Sequence, residues 1–129
     1  MLAVDSNIVV RYVTRDHAEQ AARAKTLVDG NDVFVATTVL LETDWVLRSG
    51  YGFNRVEIVD ALRAFVGLPR VTLEDPVLAF QALNWMGRGM DFADALHLAK
   101  AESCEAFISF DQRLQAVANR IGQAKVRAP

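Results

Sequence analysis

The segment spanning residues 90–111 constrains the fold of this chain more than any other. In its first half apolar residues recur at helical spacing, and Phe92, Leu96 and Ala99 form one row. Its second half, residues 106–110, is a short apolar run rich in strand-forming side chains. The segment therefore predicts a helix that leads into a buried strand.

Acidic residues mark both ends of this helix and strand. Asp91 and Asp94 are three residues apart, so their carboxylates emerge close together on the first turn of the helix. Asp111 follows the strand directly. At the start of the chain an aspartate also follows a strand: the apolar residues 1–4 predict a strand that ends at Asp5 and leads into a short helix.

The rest of the chain alternates between helical and strand patterns. Side chains that favour helix starts stand before several of the helices: Asp16 with Glu19, Thr37 or Thr38, Asn54 with Glu57, and Asp75 before Pro76. A further strand is predicted over residues 32–36, a short strand or an extended link over 71–73, an edge strand over 125–127, and a last helix over 111–120. Such alternation favours an α/β fold with a mainly parallel sheet, whose functional crevice lies beyond the carboxyl ends of the strands.

Composition is consistent with one domain over residues 1–129. Hydrophobic residues make up 52% and charged residues 23% of the chain, which is ordinary for a globular α/β protein. No apolar run approaches the roughly 20 residues that cross a bilayer, and nothing before Asp5 resembles a signal peptide. The single cysteine, Cys104, is expected to be a small buried thiol. We therefore expect a cytoplasmic protein without a membrane segment.

The net charge gives no sign of a general nucleic-acid surface, because it is −2 at neutral pH. Most of the basic residues are arginines, which suit bidentate phosphate contacts. Candidates for such contacts near the predicted crevice are Arg11, Arg15, Arg48 and Arg88. Most aromatic side chains are expected in the core, whereas the loop 51–53 and the helix end 85–86 are candidate surfaces for a partner or a second copy.

Glu42 is the acid that helix capping does not explain. It lies within an apolar helical segment in which Val39, Trp45 and Val46 would share its face, so we predict that it points towards the core. A carboxylate in that position needs a partner or a metal ion. Asp44, two residues later, is predicted to face solvent.

Four aspartates can each be explained as helix caps or first-turn residues when taken alone: Asp5, Asp91, Asp94 and Asp111. Together with Glu42 they would crowd several negative charges into one crevice, where the charges cannot all stay ionised without a cation. Because the ligands would all be oxygens, Mg²⁺ or Mn²⁺ is expected rather than zinc. Such an ion can activate a water for the hydrolysis of a phosphodiester.

In the order of these acids the chain resembles the PIN domain family, and within it the VapC-type toxins of bacterial toxin–antitoxin pairs. The resemblance lies in Asp5-Ser-Asn7, in Glu42 after Thr37-Thr38, in Phe92-Ala-Asp-Ala-Leu-His97 and in Ser109-Phe-Asp111. It implies a three-layer α/β/α PIN-like fold with a mainly parallel central sheet. It also implies four acids that bind the metal and carry the catalysis: Asp5, Glu42, Asp94 and Asp111. Asp91 is implied as an accessory metal ligand.

The resemblance further implies an activity and partners. The activity expected is that of a Mg²⁺- or Mn²⁺-dependent endoribonuclease, in which a metal-activated water hydrolyses RNA phosphodiesters. Toxins of this type are commonly homodimers that a cognate antitoxin protein inhibits. Asn7 and Ser109 are expected as supporting polar residues, whereas His97 is expected to pack or hydrogen-bond on the flank of its helix rather than act as a base.

Two other functions compete with this one. A haloacid-dehalogenase-like phosphatase also begins with an aspartate after the first strand, but it needs a second aspartate where this chain has Asn7. The more serious rival is a catalytically weak PIN-like binding module that acts with an antitoxin on operator DNA. In that case the antitoxin would supply most of the basic surface that contacts DNA.

Overall fold

Helices and strands alternate along residues 1–129, all of which the computed structural model describes. The residues group into a first unit, Met1–Pro76, and a second unit, Val77–Pro129. No helix combines the length and the apolar character that crossing a membrane requires. The predicted α/β alternation is confirmed, while the expectation of one domain over residues 1–129 stays a prediction.

Three parallel strands form the sheet of the first unit, in the order β1-β2-β3. Leu2 of β1 pairs with Val33 of β2, which pairs in turn with Val71 of β3. Parallel neighbours need a crossover connection, and the helices between the strands provide it. In chain order the elements are β1 (Leu2–Ala3), α1 (Ser6–Thr14), α2 (Ala18–Gly30), β2 (Val33–Val35), α3 (Thr37–Tyr51), α4 (Arg55–Val66) and β3 (Val71–Leu73).

Buried apolar side chains pack the helices of the first unit together. Helix α1 contacts α2 and α3, and α3 contacts α4. The side chains that share this burial, each at most 1% exposed, are Val9 on α1, Leu40 and Leu47 on α3, and Ile58 and Leu62 on α4. This packing fixes α1 relative to α3, and these two helices carry the candidate acids of the first unit.

The start of α4 follows the prediction, whereas the start of α2 does not. Asn54 and Glu57 form the predicted capping box, with reciprocal hydrogen bonds of 2.9 and 3.0 Å between side chain and backbone. Helix α2 is capped by His17, whose Nδ1 accepts a hydrogen bond from the backbone of Gln20 at 3.2 Å. The predicted cap from Asp16 is therefore wrong.

The start of α3 depends on a residue that is distant in the sequence. Its N-cap, Ala36, has no side-chain hydrogen bond, so the predicted cap from Thr37 or Thr38 is wrong. Instead the carboxylate of Glu74, directly after β3, accepts a hydrogen bond from the backbone N–H of Thr37 at 2.9 Å. An acid at this position also interacts favourably with the positive end of the helix dipole.

Strands β4 and β5 of the second unit pair in parallel, and Phe107 lies opposite Val126. The ammonium group of Lys125 donates to the carbonyl oxygens of Ala101 and Glu102 at 2.6 and 3.2 Å, which holds the turn after α6 against β5. The elements are α5 (Pro76–Gly87), whose first residue closes the first unit, α6 (Phe92–Lys100), β4 (Phe107–Ile108), α7 (Gln112–Arg120) and β5 (Val126–Arg127).

Several side chains are exposed or buried against expectation. Cys104 is exposed because it lies in the turn after α6 and not on the buried face of the helix, so the expected buried thiol is wrong. Trp85 and Met86 are 7% and 0% exposed, which removes the helix end 85–86 as a candidate contact surface. Trp45, expected among the core aromatics, is 64% exposed.

Candidate functional site

Asp5 is both a helix cap and a candidate ligand. It precedes α1 in an extended backbone conformation, and its Oδ1 accepts a hydrogen bond from the backbone N–H of Asn7 at 2.8 Å. The side chain is exposed, and its second oxygen, Oδ2, makes no hydrogen bond. Capping therefore uses one oxygen and leaves the other available to a cation, so the two roles are compatible.

Glu42 is linked to the residue that follows Asp5. The hydroxyl of Ser6, which is buried at the start of α1, donates a hydrogen bond to Oε1 of Glu42 on α3. The packing of α1 on α3 makes this contact possible. The first unit thus gathers two of the predicted acids in one neighbourhood, and it does so through Ser6, a residue that the sequence patterns did not single out.

The faces of α3 are reversed relative to the prediction. Glu42 is exposed, whereas Asp44 is only 4% exposed and accepts a hydrogen bond from Arg48 at 2.7 Å. The buried residues of α3 are Leu40, Thr43, Asp44 and Leu47, which follow the helical spacing of one face. The buried carboxylate is therefore neutralised by an ion pair, and the exposed carboxylate is the one that is free to bind a ligand.

Asp94 is the most unusual acid of the second unit. It lies at the third position of α6, is half-buried, and accepts no hydrogen bond. Burial raises the pKa of Asp94, and the negative charges of Asp91 and Asp111 raise it further, while His97 lowers it. The charges of Asp91 and Asp111 therefore lie close enough to Asp94 to disfavour its ionised form.

Asp111 is positioned by its own helix and by Ser109. Its Oδ1 accepts a hydrogen bond from the backbone N–H of Leu114 at 3.0 Å, which caps α7. The backbone N–H of Asp111 in turn donates to the hydroxyl of Ser109 at 3.0 Å. Ser109 thus holds the backbone that carries Asp111. His97 is exposed on α6, and its role stays a prediction.

The donors suit a hard divalent cation, although they do not form a closed cage. Within either unit no group of three or more His, Cys, Asp and Glu side chains is arranged to hold a metal ion. Carboxylate oxygens are the ligands that Mg²⁺ prefers, and this ion usually keeps several waters and needs only one or two protein carboxylates. The residues therefore fit such an ion, and the convergence of all the acids on one site stays a prediction.

Two of the candidate RNA-binding arginines are already engaged. Arg11 forms an ion pair with Asp16 at 3.0 Å, and Arg48 pairs with Asp44. Pairing neutralises their charge, which makes them weaker candidates for phosphate contacts than free arginines.

Comparison with known families gives one match. A family model described as PIN domain matches residues 2–120. The match includes every element from β1 to α7 and all five candidate acids. No curated protein and no solved structure matches the chain.

Proposed function

The chain belongs to the PIN domain family, whose members are generally metal-dependent nucleases, and on that basis we propose that it is an endoribonuclease that uses Mg²⁺ or Mn²⁺. The proposed metal-binding and catalytic residues are Asp5, Glu42, Asp94 and Asp111, with Asp91 as an accessory ligand. The family often pairs with antitoxins. The proposal therefore includes the role of toxin in a type II toxin–antitoxin pair, inhibition by a cognate antitoxin, a homodimer and a cytoplasmic location.

The observation that carries this proposal is the environment of Asp94. Its carboxylate is half-buried, accepts no hydrogen bond and is repelled by Asp91 and Asp111. A protein that needed these residues only for stability would gain by replacing one of them with a neutral side chain. A bound divalent cation would relieve this repulsion, and the same clustered negative charges would attract the cation.

The chain's own residues supply positioning and charge. Asp5 is held by the backbone N–H of Asn7, and Glu42 by the hydroxyl of Ser6. A bound divalent ion would neutralise phosphate charge and lower the pKa of a water. Water attacks phosphorus and the 3′-oxygen leaves, so no side-chain nucleophile is needed and hydrolysis should leave 5′-phosphate and 3′-hydroxyl ends on the cleaved RNA.

Metal titration of RNA cleavage tests this proposal. We expect cleavage by the full chain to require added Mg²⁺ or Mn²⁺ and to fall by at least about 10-fold in Asp5→Asn and Asp94→Asn, because even the loss of a group that only orients a metal ligand typically weakens metal affinity or activity by about 10- to 100-fold. Asp60→Asn is the matched control, since Asp60 is an exposed aspartate of α4 outside the candidate site. Circular dichroism shows whether each variant is folded.

Other outcomes would contradict the enzyme. Cleavage that survives both substitutions would point to a contaminating nuclease, and cyclic phosphate ends would indicate attack by the RNA 2′-hydroxyl. Absence of cleavage by a folded, metal-loaded chain that still binds operator DNA with an antitoxin would favour the binding module. A small reading frame for a DNA-binding protein directly upstream of the gene would support the toxin role.

A further inference from the structure

A groove in the first unit begins at Asp5 and continues along α1 and α2. One part has a volume of about 520 Å³ and includes Asp5 in its lining. The other part has a volume of about 530 Å³ and extends to Arg23 on α2. Asn7, Ile8 and Leu27 line both parts, so the part with Asp5 and the part with Arg23 adjoin at these three residues.

The part of the groove beyond Asp5 has the chemistry of a nucleotide site. Ile8, Ala24 and Leu27 give it an apolar surface, and Asn7 and Gln20 add amide groups. An apolar surface suits the face of a base, while amides can both donate and accept hydrogen bonds at its edge. No carboxylate lines this part of the groove, so an anionic ligand meets no direct repulsion there.

Arg11 and Arg23 contribute differently to this part of the groove. Arg11 is held by Asp16 at 3.0 Å, by Gln20 at 2.7 Å and by the Tyr51 hydroxyl at 2.7 Å, so its guanidinium is fixed and its charge is balanced. Arg23 is exposed and makes no hydrogen bond or ion pair. It is therefore the arginine in the groove with an unbalanced charge, and a phosphate is the group that its planar guanidinium binds best.

We propose that this groove binds an unpaired nucleotide of single-stranded RNA, adjacent to the phosphodiester at Asp5. The base lies on the apolar surface of Ile8 and Leu27, and a flanking phosphate contacts Arg23. The inference rests on the proposed function, because the strand that enters the groove is the strand that reaches Asp5. A base stacked within a duplex cannot enter such a groove, so the substrate must be unpaired at this position.

Binding of a labelled oligonucleotide by the full chain tests the groove. Fluorescence anisotropy with a short single-stranded RNA is measured on Asp94→Asn in Mg²⁺, so that binding is recorded with little cleavage. Adding the Arg23→Gln substitution to this variant should weaken RNA binding about 10-fold. The negative slope of log affinity against log salt should become less steep by about one, as expected for one lost phosphate contact. Arg23→Lys keeps the charge but not the planar guanidinium, so it should keep the salt dependence of the parent and lose only part of the affinity. A duplex of the same sequence should bind weakly to all variants.

The matched control is Arg63→Gln on α4, which removes the same charge from an exposed arginine that does not line the groove. In the catalytically intact chain, Arg23→Gln should raise KM about 10-fold while kcat changes less than about twofold, because the contact is made equally in the ground and transition states. Folding is checked by urea denaturation, in which both arginine variants should match the parent chain.

The outcomes separate this proposal from the proposed function. Equal RNA binding by the Arg23→Gln and Arg63→Gln variants would overturn the groove, and cleavage by the parent chain would still support the nuclease. Loss of RNA binding only in Arg23→Gln, with no cleavage by any variant, would support the groove and contradict the nuclease. A change of oligomeric state in Arg23→Gln with unchanged RNA affinity would show that the groove contacts protein, and would overturn the proposal.

Discussion

The hydroxyl of Ser6 donates a hydrogen bond to the carboxylate of Glu42, so the residue that follows Asp5 is tied directly to the middle of α3. Ser6 is 5% exposed, whereas Glu42 is exposed. The buried hydroxyl restrains a long acidic side chain whose charge remains in contact with solvent. A restrained carboxylate is better prepared for a ligand, because less side-chain freedom is lost when the ligand binds.

Replacing Ser6 with alanine should therefore affect activity more than stability. We expect Ser6→Ala to lower the free energy of unfolding by about 1 kcal/mol, since Glu42 can exchange the lost hydrogen bond for water. RNA cleavage should fall several-fold. Urea denaturation and cleavage rates measure the two effects, with Ser49→Ala, an exposed serine of α3, as the control. Cleavage that stays equal in both variants would show that Ser6 does not position Glu42.

Asp44 and Glu42 should respond to substitution in opposite ways. Asp44→Ala removes a buried carboxylate bonded to Arg48 and should lower the free energy of unfolding by about 2 kcal/mol, the value of a hydrogen bond between charged groups. Glu42→Gln keeps an oxygen for the Ser6 hydroxyl and should unfold like the parent chain while losing cleavage. Chemical denaturation and cleavage assays on both variants test the assignment, and a large loss of stability in Glu42→Gln would contradict it.

Asp16 should contribute to acid unfolding of the first unit. The hydrogen bond from Tyr51 holds the pKa of Asp16 below its usual value, and Thr14 and Arg11 act in the same direction. Because the pKa is lower in the folded chain, the stabilisation is complete above the unfolded pKa and is lost as the pH falls through the folded pKa. Asp16→Asn should therefore lose less stability than the parent chain between about pH 5 and pH 2.

Urea midpoints measured across this pH range test the prediction for Asp16. Asp60→Asn serves as the control, because Asp60 is an exposed aspartate of α4. If the midpoints of Asp16→Asn and the parent chain fall in parallel with decreasing pH, the ionisation of Asp16 does not stabilise the folded state.

Lys125 should stabilise the second unit. Its ammonium group donates to the carbonyl oxygens of Ala101, Glu102 and Cys104. Lys125→Met keeps the length of the side chain and removes these donors, which should cost about 2 kcal/mol of unfolding free energy. Thermal or urea denaturation measures the change. Lys100→Met, at an exposed lysine of α6, should unfold like the parent chain, and equal stability of the two variants would contradict the role of Lys125.

Local sequence patterns were enough for much of the fold. The capping box of Asn54 and Glu57 follows from interactions between near neighbours in the chain, and it is confirmed. The apolar pattern over Val71–Leu73 indicated a strand or an extended link, and a strand is what forms, through pairing with β2. The cap roles of Asp5 and Asp111 are local as well, because each carboxylate binds a backbone N–H two or three residues ahead. Such contacts form in the same way wherever the segment lies in the protein.

Interactions between distant residues could not be predicted in this way. Helix α3 is capped by Glu74 rather than by its own threonines, since β3 brings that carboxylate to the start of the helix. Burial of Asp44 depends equally on packing, because the neighbouring helices α1 and α4 decide which face of α3 is covered, while the ion pair with Arg48 on the same helix makes a charged residue tolerable there. The spacing of apolar residues placed Trp45 on the buried face of α3. That spacing contains no information about which neighbouring elements cover the helix.

The amino-acid sequence alone established which acids the chain carries, their order, their helical or strand context and the PIN family to which that order belongs. Packing decided how those acids are held: the approach of α1 to α3 joins Ser6 to Glu42, and the start of α6 leaves Asp94 half-buried beside Asp91 and Asp111. The difference is physical, because caps and spacing arise within one or two helical turns, whereas burial and charge proximity arise only when separate segments meet.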